Sequence, residues 1–209
     1  MRHLVTMIPM LLFLSWVIPA EAATFGRITV GTTPSGGLRP DYKRGSKFTL
    51  TQTGTLKKLC AYLDGMGTVE GGQDYQNFRL ALYRDAGGVP DTKVAEALSV
   101  VGSVLENTAG QWACQDTALV PLSPGNYWIV VHSGGTAYSG GFPGVGNIIR
   151  YFYDGTGNWY GNADNFYDGA SNPFGAGGSG DGTMSAYVSF KRGPFIKQPL
   201  AVRVLQQRR

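Results

Sequence analysis

The sequence predicts an all-β fold, an antiparallel two-sheet sandwich of jelly-roll type. Three observations point there. Glycine is very abundant, at 31 of 209 residues, and it clusters with Asn, Asp and Pro where a chain reverses direction. Aromatic residues reach 12% while charged residues make up only 15%, which excludes a disordered chain. Apolar residues recur in short runs instead of at helical spacing, and no amphipathic helix is visible in the expected mature chain. Pattern alone does not set the strand order, and a closed barrel is the main competitor.

Taken in order, the chain opens with Arg2 and His3, an apolar run over residues 4–18 and the small-x-small triplet Ala20-Glu21-Ala22. That is the layout of a secretory signal peptide over residues 1–22, cleaved after Ala22. The run is short for a membrane span of about 20 residues and contains Pro9. The expectation is therefore a secreted, extracellular or periplasmic protein with no stable membrane span after cleavage.

Residues 23–190 then read as one domain. Nine runs have strand character: 24–30, 47–51, 56–63, 78–83, 94–101, 111–119, 127–132, 148–153 and 184–190. Turns are expected at Asp64-Gly65, at Gly87-Gly88 before Pro90, and at Pro124-Gly125, Asp154-Gly155 and Asp181-Gly182. The run from Tyr127 to Val131 is apolar or aromatic on both alternating faces, so it should be covered on both. The run at 78–83 carries Arg79 on one face, as a half-exposed strand would.

Cys60 and Cys114 are the only cysteines. An even pair in an oxidising compartment forms a disulfide. This one would tie an early strand to a middle one and stabilise the fold by about 3–4 kcal/mol. Residues 191–209 carry Lys191, Arg192, Lys197, Arg203, Arg208 and Arg209 and read as a solvated basic tail.

The series Phe48-Thr49-Leu50, Gly54-Thr55-Leu56 and Leu59-Cys60-Ala61-Tyr62-Leu63-Asp64-Gly65 leads to Leu80-Ala81-Leu82-Tyr83-Arg84-Asp85 and Gly88-Val89-Pro90. Leu122-Ser123-Pro124-Gly125-Asn126-Tyr127-Trp128 follows. Together these motifs resemble the extracellular β-sandwich modules of bacterial surface proteins called choice-of-anchor domains, the R type in particular. They are turn and core motifs, so the resemblance implies a fold and an exported address without a catalytic apparatus.

Candidate chemistry concentrates in the glycine-rich stretch 133–182. Asp154, Asp164, Asp168 and Asp181 would serve a polysaccharide-acting hydrolase if two of them converged. Asp164 and Asp168, in the run Asn162 to Gly169, offer oxygen ligands of the kind calcium takes, although the loop lacks the calcium-loop spacing. His132 ends a strand and adjoins Ser133, but neighbours in a strand point to opposite faces, so a structural role is preferred to a nucleophile pair. Asn158, Trp159, Tyr160 and Asn162, with Tyr153, combine rings that stack on sugar faces with amides that bond hydroxyls. Nucleic acid is excluded because Arg150 is the sole basic residue in the stretch. The expected role is non-catalytic extracellular binding or adhesion, to a glycan or a surface protein, or a purely structural surface domain.

Overall fold

The structure is a computed structural model and describes residues 22–35, 37–66, 75–98, 102–105, 110–136 and 148–193. The expected signal peptide, apart from Ala22, and the tail beyond Gly193 lie outside the described residues. So do residues 99–101 of the strand expected at 94–101.

The described residues form an all-β, antiparallel fold of thirteen strands. In chain order these are β1 (Ala22–Gly26), β2 (Thr33–Pro34), β3 (Tyr42–Leu50), β4 (Gly54–Met66), β5 (Tyr75–Ala86), β6 (Val89–Glu96) and β7 (Gly102–Leu105). There follow β8 (Gln111–Asp116), β9 (Pro121–Leu122), β10 (Gly125–Thr136), β11 (Ile148–Ala163), β12 (Gly178–Met184) and β13 (Ala186–Arg192). A single 3₁₀ turn, Phe166–Asp168, lies between β11 and β12. Among the described residues no helix is long and apolar enough to cross a membrane.

The strands fall into two antiparallel groups, one around β4 and β13 and one around β3, β10 and β5, and β11 joins them into one hydrogen-bonded path, β1-β13-β4-β11-β3-β10-β5-β6. The reason is the length of β11. Its first residues pair with β4, as in Tyr151 opposite Leu63, and its last pair with β3, as in Tyr160 opposite Gly45. Strands from both ends of this path nevertheless share one core. Phe25 of β1, Leu59 of β4 and Val188 of β13 belong to the same buried cluster as Leu80 and Leu82 of β5 and Ile129 and Val131 of β10. The Phe25 ring sits 5.8 Å from that of Tyr127.

Local chemistry accounts for several elements. Gly87 and Gly88, with φ of 66° and 92°, form the two-residue turn that joins Ala86 to Val89, a conformation glycine adopts without strain. Within β4, Leu56 and Leu59 both face the core although three residues apart. A bulge in the pairing with β13 absorbs the odd residue. Cys60 and Cys114 stand directly opposite each other on β4 and β8, with Cα atoms 4.1 Å apart, and are bonded as expected.

Three expected turns lie inside strands instead. Asp64-Gly65 continues β4, Asp154-Gly155 belongs to β11 at a register shift, and Asp181-Gly182 belongs to β12. The aspartates in these pairs bond or oppose neighbouring strands, and that pairing overrides their local turn preference.

The β10 strand is buried on both faces, as its pattern requires. Tyr127, Ile129 and Val131 enter the large core, while Trp128 and Val130 join a second cluster with Ala81, Tyr83, Ala170 and Phe174. Residues 164–177 lie over this second face. They also cover Arg79, which is only 9% exposed. Arg79 bonds Glu96 at 2.6 Å and its guanidinium lies 5.1 Å from the Phe166 ring centre, so the expectation of a half-exposed β5 is corrected.

Candidate functional site

Strand alternation decides which candidate residues can act together. On β3, Tyr42, Phe48 and Leu50 pack with the large core, whereas Lys43 stands over the Tyr83 and Phe174 rings of the second cluster. Across the β3–β11 ladder, Trp159 pairs with Ser46, Tyr160 with Gly45 and Asn162 with Lys43. Asn158, Tyr160 and Asn162 therefore share the second face, and Trp159 takes the opposite one.

On its own side Trp159 stacks under the Arg44 guanidinium, 4.0 Å from ring centre to the cation carbon. Tyr42 and Tyr151 flank the same guanidinium at 5.7 and 5.6 Å. This aromatic cage is filled by the protein's own arginine. Burial pushes the Tyr151 phenol above its ordinary pKa, although its bond to Arg44 pulls the other way. Tyr153 packs nearby, its ring 6.0 Å from that of Tyr151. Trp159 and Tyr153 thus do not join Tyr160 in one platform.

The second face carries a shallow recess of about 190 Å³. It is lined by Gly88 and Val89 at the β5–β6 turn, Trp128 of β10, Asn158 and Tyr160 of β11, and Ser179, Gly180 and Asp181 of β12. Trp128 lies at its floor, 1% exposed, its indole N–H donated to Asp85 at 2.7 Å. The Tyr160 ring meets Trp128 edge-on at 6.3 Å and Phe174 at 5.7 Å, and its hydroxyl accepts the Gly177 N–H at 2.8 Å. Asn158 stands opposite Asp181 across the β11–β12 ladder. Rings, an amide, a hydroxyl and a carboxylate therefore converge on one opening. Ordinary ligand pockets start near ~300 Å³, so the recess suits one ring-sized group.

Of the expected site residues, Asn158 and Tyr160 line this recess. Asn162 does not, because its amide N–H groups are donated to the carbonyls of Phe174 and Ala176 and hold the covering segment down. Trp128 and Asp181 belong to the recess and were not expected there. The strict alternation of Tyr127-Trp128-Ile129 was the available signal for Trp128. Asp181 was masked by its resemblance to a turn residue.

The remaining aspartates are committed elsewhere. Asp154 pairs with Arg27 and accepts the Thr32 N–H at 2.9 Å. Asp168 accepts the Asn165 amide at 2.8 Å. Asp164 accepts the Lys43 ammonium at 2.7 Å and the Ser171 N–H at 2.8 Å. Asp164 and Asp168 were candidate calcium ligands; the cation beside Asp164 is a lysine, and Asp168 is bonded to Asn165. Among the described residues no group of three or more His, Cys, Asp or Glu is placed to hold a metal.

This polar group beneath the cover is dense. Burial lowers the Lys43 pKa, against the pull of Asp164. Burial opposes ionisation of Asp164 and of Glu96, yet their partners hold both carboxyls below ordinary values: Lys43 and the Ser171 N–H for Asp164, and the Ala170 N–H, Lys93 and Arg79 for Glu96. His132, fully buried, donates Nε2–H to the Asp164 carbonyl at 2.8 Å and packs on Phe166. Burial lowers its pKa and keeps it neutral. Its bonding to a backbone carbonyl is that of a structural residue.

Set beside known proteins, the chain matches no family model, no curated protein and no solved structure.

Proposed function

We propose that the protein is an exported, non-catalytic β-domain that binds a carbohydrate residue in the recess between the β5–β6 turn, β10, β11 and β12. The observation that carries this reading is the convergence of Tyr160 and Trp128 with Asn158, Ser179 and Asp181 on an opening sized for one ring. A sugar offers an apolar C–H face to a ring edge or plane and hydroxyls to amide and carboxylate oxygens. A single carboxylate at the recess, with three other candidates tied to internal partners, favours binding over hydrolysis, which needs two free acids. The resemblance to extracellular surface modules is in keeping with an adhesive role.

The test is a glycan array and polysaccharide pull-down on the secreted chain, with Tyr160→Ala, Asp181→Ala and Trp159→Ala variants. The expected outcome is binding reduced at least about tenfold by Tyr160→Ala or Asp181→Ala, the scale of about 1.4 kcal/mol, and unchanged by Trp159→Ala. Absence of glycan binding, or loss only in Trp159→Ala, would overturn the assignment of the recess and leave a structural or protein-adhesion domain.

A further inference from the structure

The most unusual chemistry in the molecule lies away from the recess, beneath residues 164–177. Lys43 is a lysine with no exposed surface. The β3–β11 register places it opposite Asn162, so that Asp164, two residues on, presents its carboxylate to the ammonium at 2.7 Å. The Phe174 ring stands over the nitrogen at 4.2 Å and the Tyr83 ring at 5.7 Å. Ser171 closes the arrangement. Its hydroxyl contacts the Lys43 nitrogen, its N–H is donated to Asp164 Oδ2 at 2.8 Å, and its carbonyl is fixed by the Tyr83 hydroxyl at 2.7 Å.

A fully buried primary amine and a carboxyl group with a side chain 13% exposed are thus held at hydrogen-bond distance by Ser171, Tyr83 and Phe174. We propose that Lys43 and Asp164 condense to an intrachain amide, a covalent bond between β3 and the segment that follows β11. The reaction needs no oxidant and no cofactor. A proton passes from the ammonium to the carboxylate, giving amine and acid. The amine lone pair attacks Cγ of Asp164, the C–N bond forms, and the C–Oδ1 bond breaks. The second nitrogen proton leaves with that oxygen, and the products are one amide and one water.

The surroundings favour each part of this step. Proximity converts an encounter into an intramolecular reaction, with effective concentrations that reach about 10⁵–10⁸ M in well-oriented cases. The Ser171 N–H already touches Oδ2, the oxygen on which charge collects in the tetrahedral intermediate. The Ser171 hydroxyl donates to the Phe174 carbonyl at 3.2 Å, which leaves its oxygen free to accept from the Lys43 nitrogen. Two charges held out of water are a standing cost that a neutral amide removes. The same dryness that lowers the Lys43 pKa raises the share of free amine.

Intact-mass measurement of the purified secreted chain tests this directly, with its N-terminus determined independently. The expected mass is lower than the sequence mass by one water, beyond the two hydrogens lost in the disulfide. Proteolysis should release a branched peptide joining Lys43 to Asp164. A full-mass protein overturns the proposal. So does a water loss that persists in Lys43→Arg, because that assigns it to a succinimide at one of the Asp-Gly pairs. The wild-type measurement is decisive even if the variant folds poorly.

Discussion

The two buried clusters share strands β5 and β10 but are held by different forces. The large core, reached by Tyr127, Ile129 and Val131 of β10, is built of apolar and aromatic side chains, and the buried polar groups that bond its strands, Ser46 and Gln115, are neutral. The cluster on the other face has a smaller apolar set, Ala81, Tyr83, Trp128, Val130, Ala170 and Phe174, and beside it lie Lys43, Asp164, Arg79, Glu96 and His132. Burial of area is non-directional and tolerates small errors of fit. Buried charges tolerate no missing partner. The second face should therefore be the more brittle of the two, and also the one that responds to solution conditions.

The largest effect is expected at Asp164. Asp164→Ala leaves the Lys43 ammonium buried with neither an ion-pair nor an amide partner and should cost at least about 3–5 kcal/mol in denaturant unfolding. The apolar pair Lys43→Met with Asp164→Leu should recover most of that loss. A loss below that of an ordinary surface substitution in Asp164→Ala would show that the covering segment is not coupled to global stability.

A conservative change in the large core should matter less. Ile129→Val removes one methylene from a fully buried site and should cost about 0.5–1.5 kcal/mol, with the glycan binding proposed for the recess unchanged. A loss of binding in this variant would mean that the core and the recess are not separable.

The smallest difference near neutrality is in pH response. His132 and Glu96 both have folded pKa values below their ordinary ones of 6.5 and 4.5. The unfolded chain therefore binds more protons than the folded one as pH falls. The stability they contribute is complete above 6.5 and is lost first through His132, then below 4.5 through Glu96. Hydrogen exchange should show residues 164–177 losing protection on acidification before Ile129 and Val131 do. Simultaneous loss in both regions would contradict the division drawn between them.

Much of the frame was legible in advance because its signals are local and unambiguous. Tyr127-Trp128-Ile129-Val130-Val131 could only be a strand covered on both faces, and Gly87-Gly88 could only be a tight reversal. Cys60 and Cys114 had no other partner. The site was less legible. Residues 148–163 looked like a short strand followed by loop, since Gly155, Gly157 and Gly161 with Asn158 and Asn162 lack strand preference. They form one long strand because β4, β2, β3 and β12 each satisfy part of its backbone. Reading that strand as loop placed Trp159 and Tyr160 together, where the two-residue period separates them.

Composition, the glycine punctuation and the alternation of β10 determined the all-β class, the disulfide and a doubly covered central strand, because each rests on contacts between a residue and its immediate chain neighbours or on the lack of any alternative. Tertiary structure alone decided that Lys43 meets Asp164, that Arg44 fills the cage beside Trp159, and that Trp128 and Asp181 reach the same recess as Tyr160. Those contacts join residues far apart in the chain, and they depend on strand register. A shift of one residue reverses every face, and no local propensity records it.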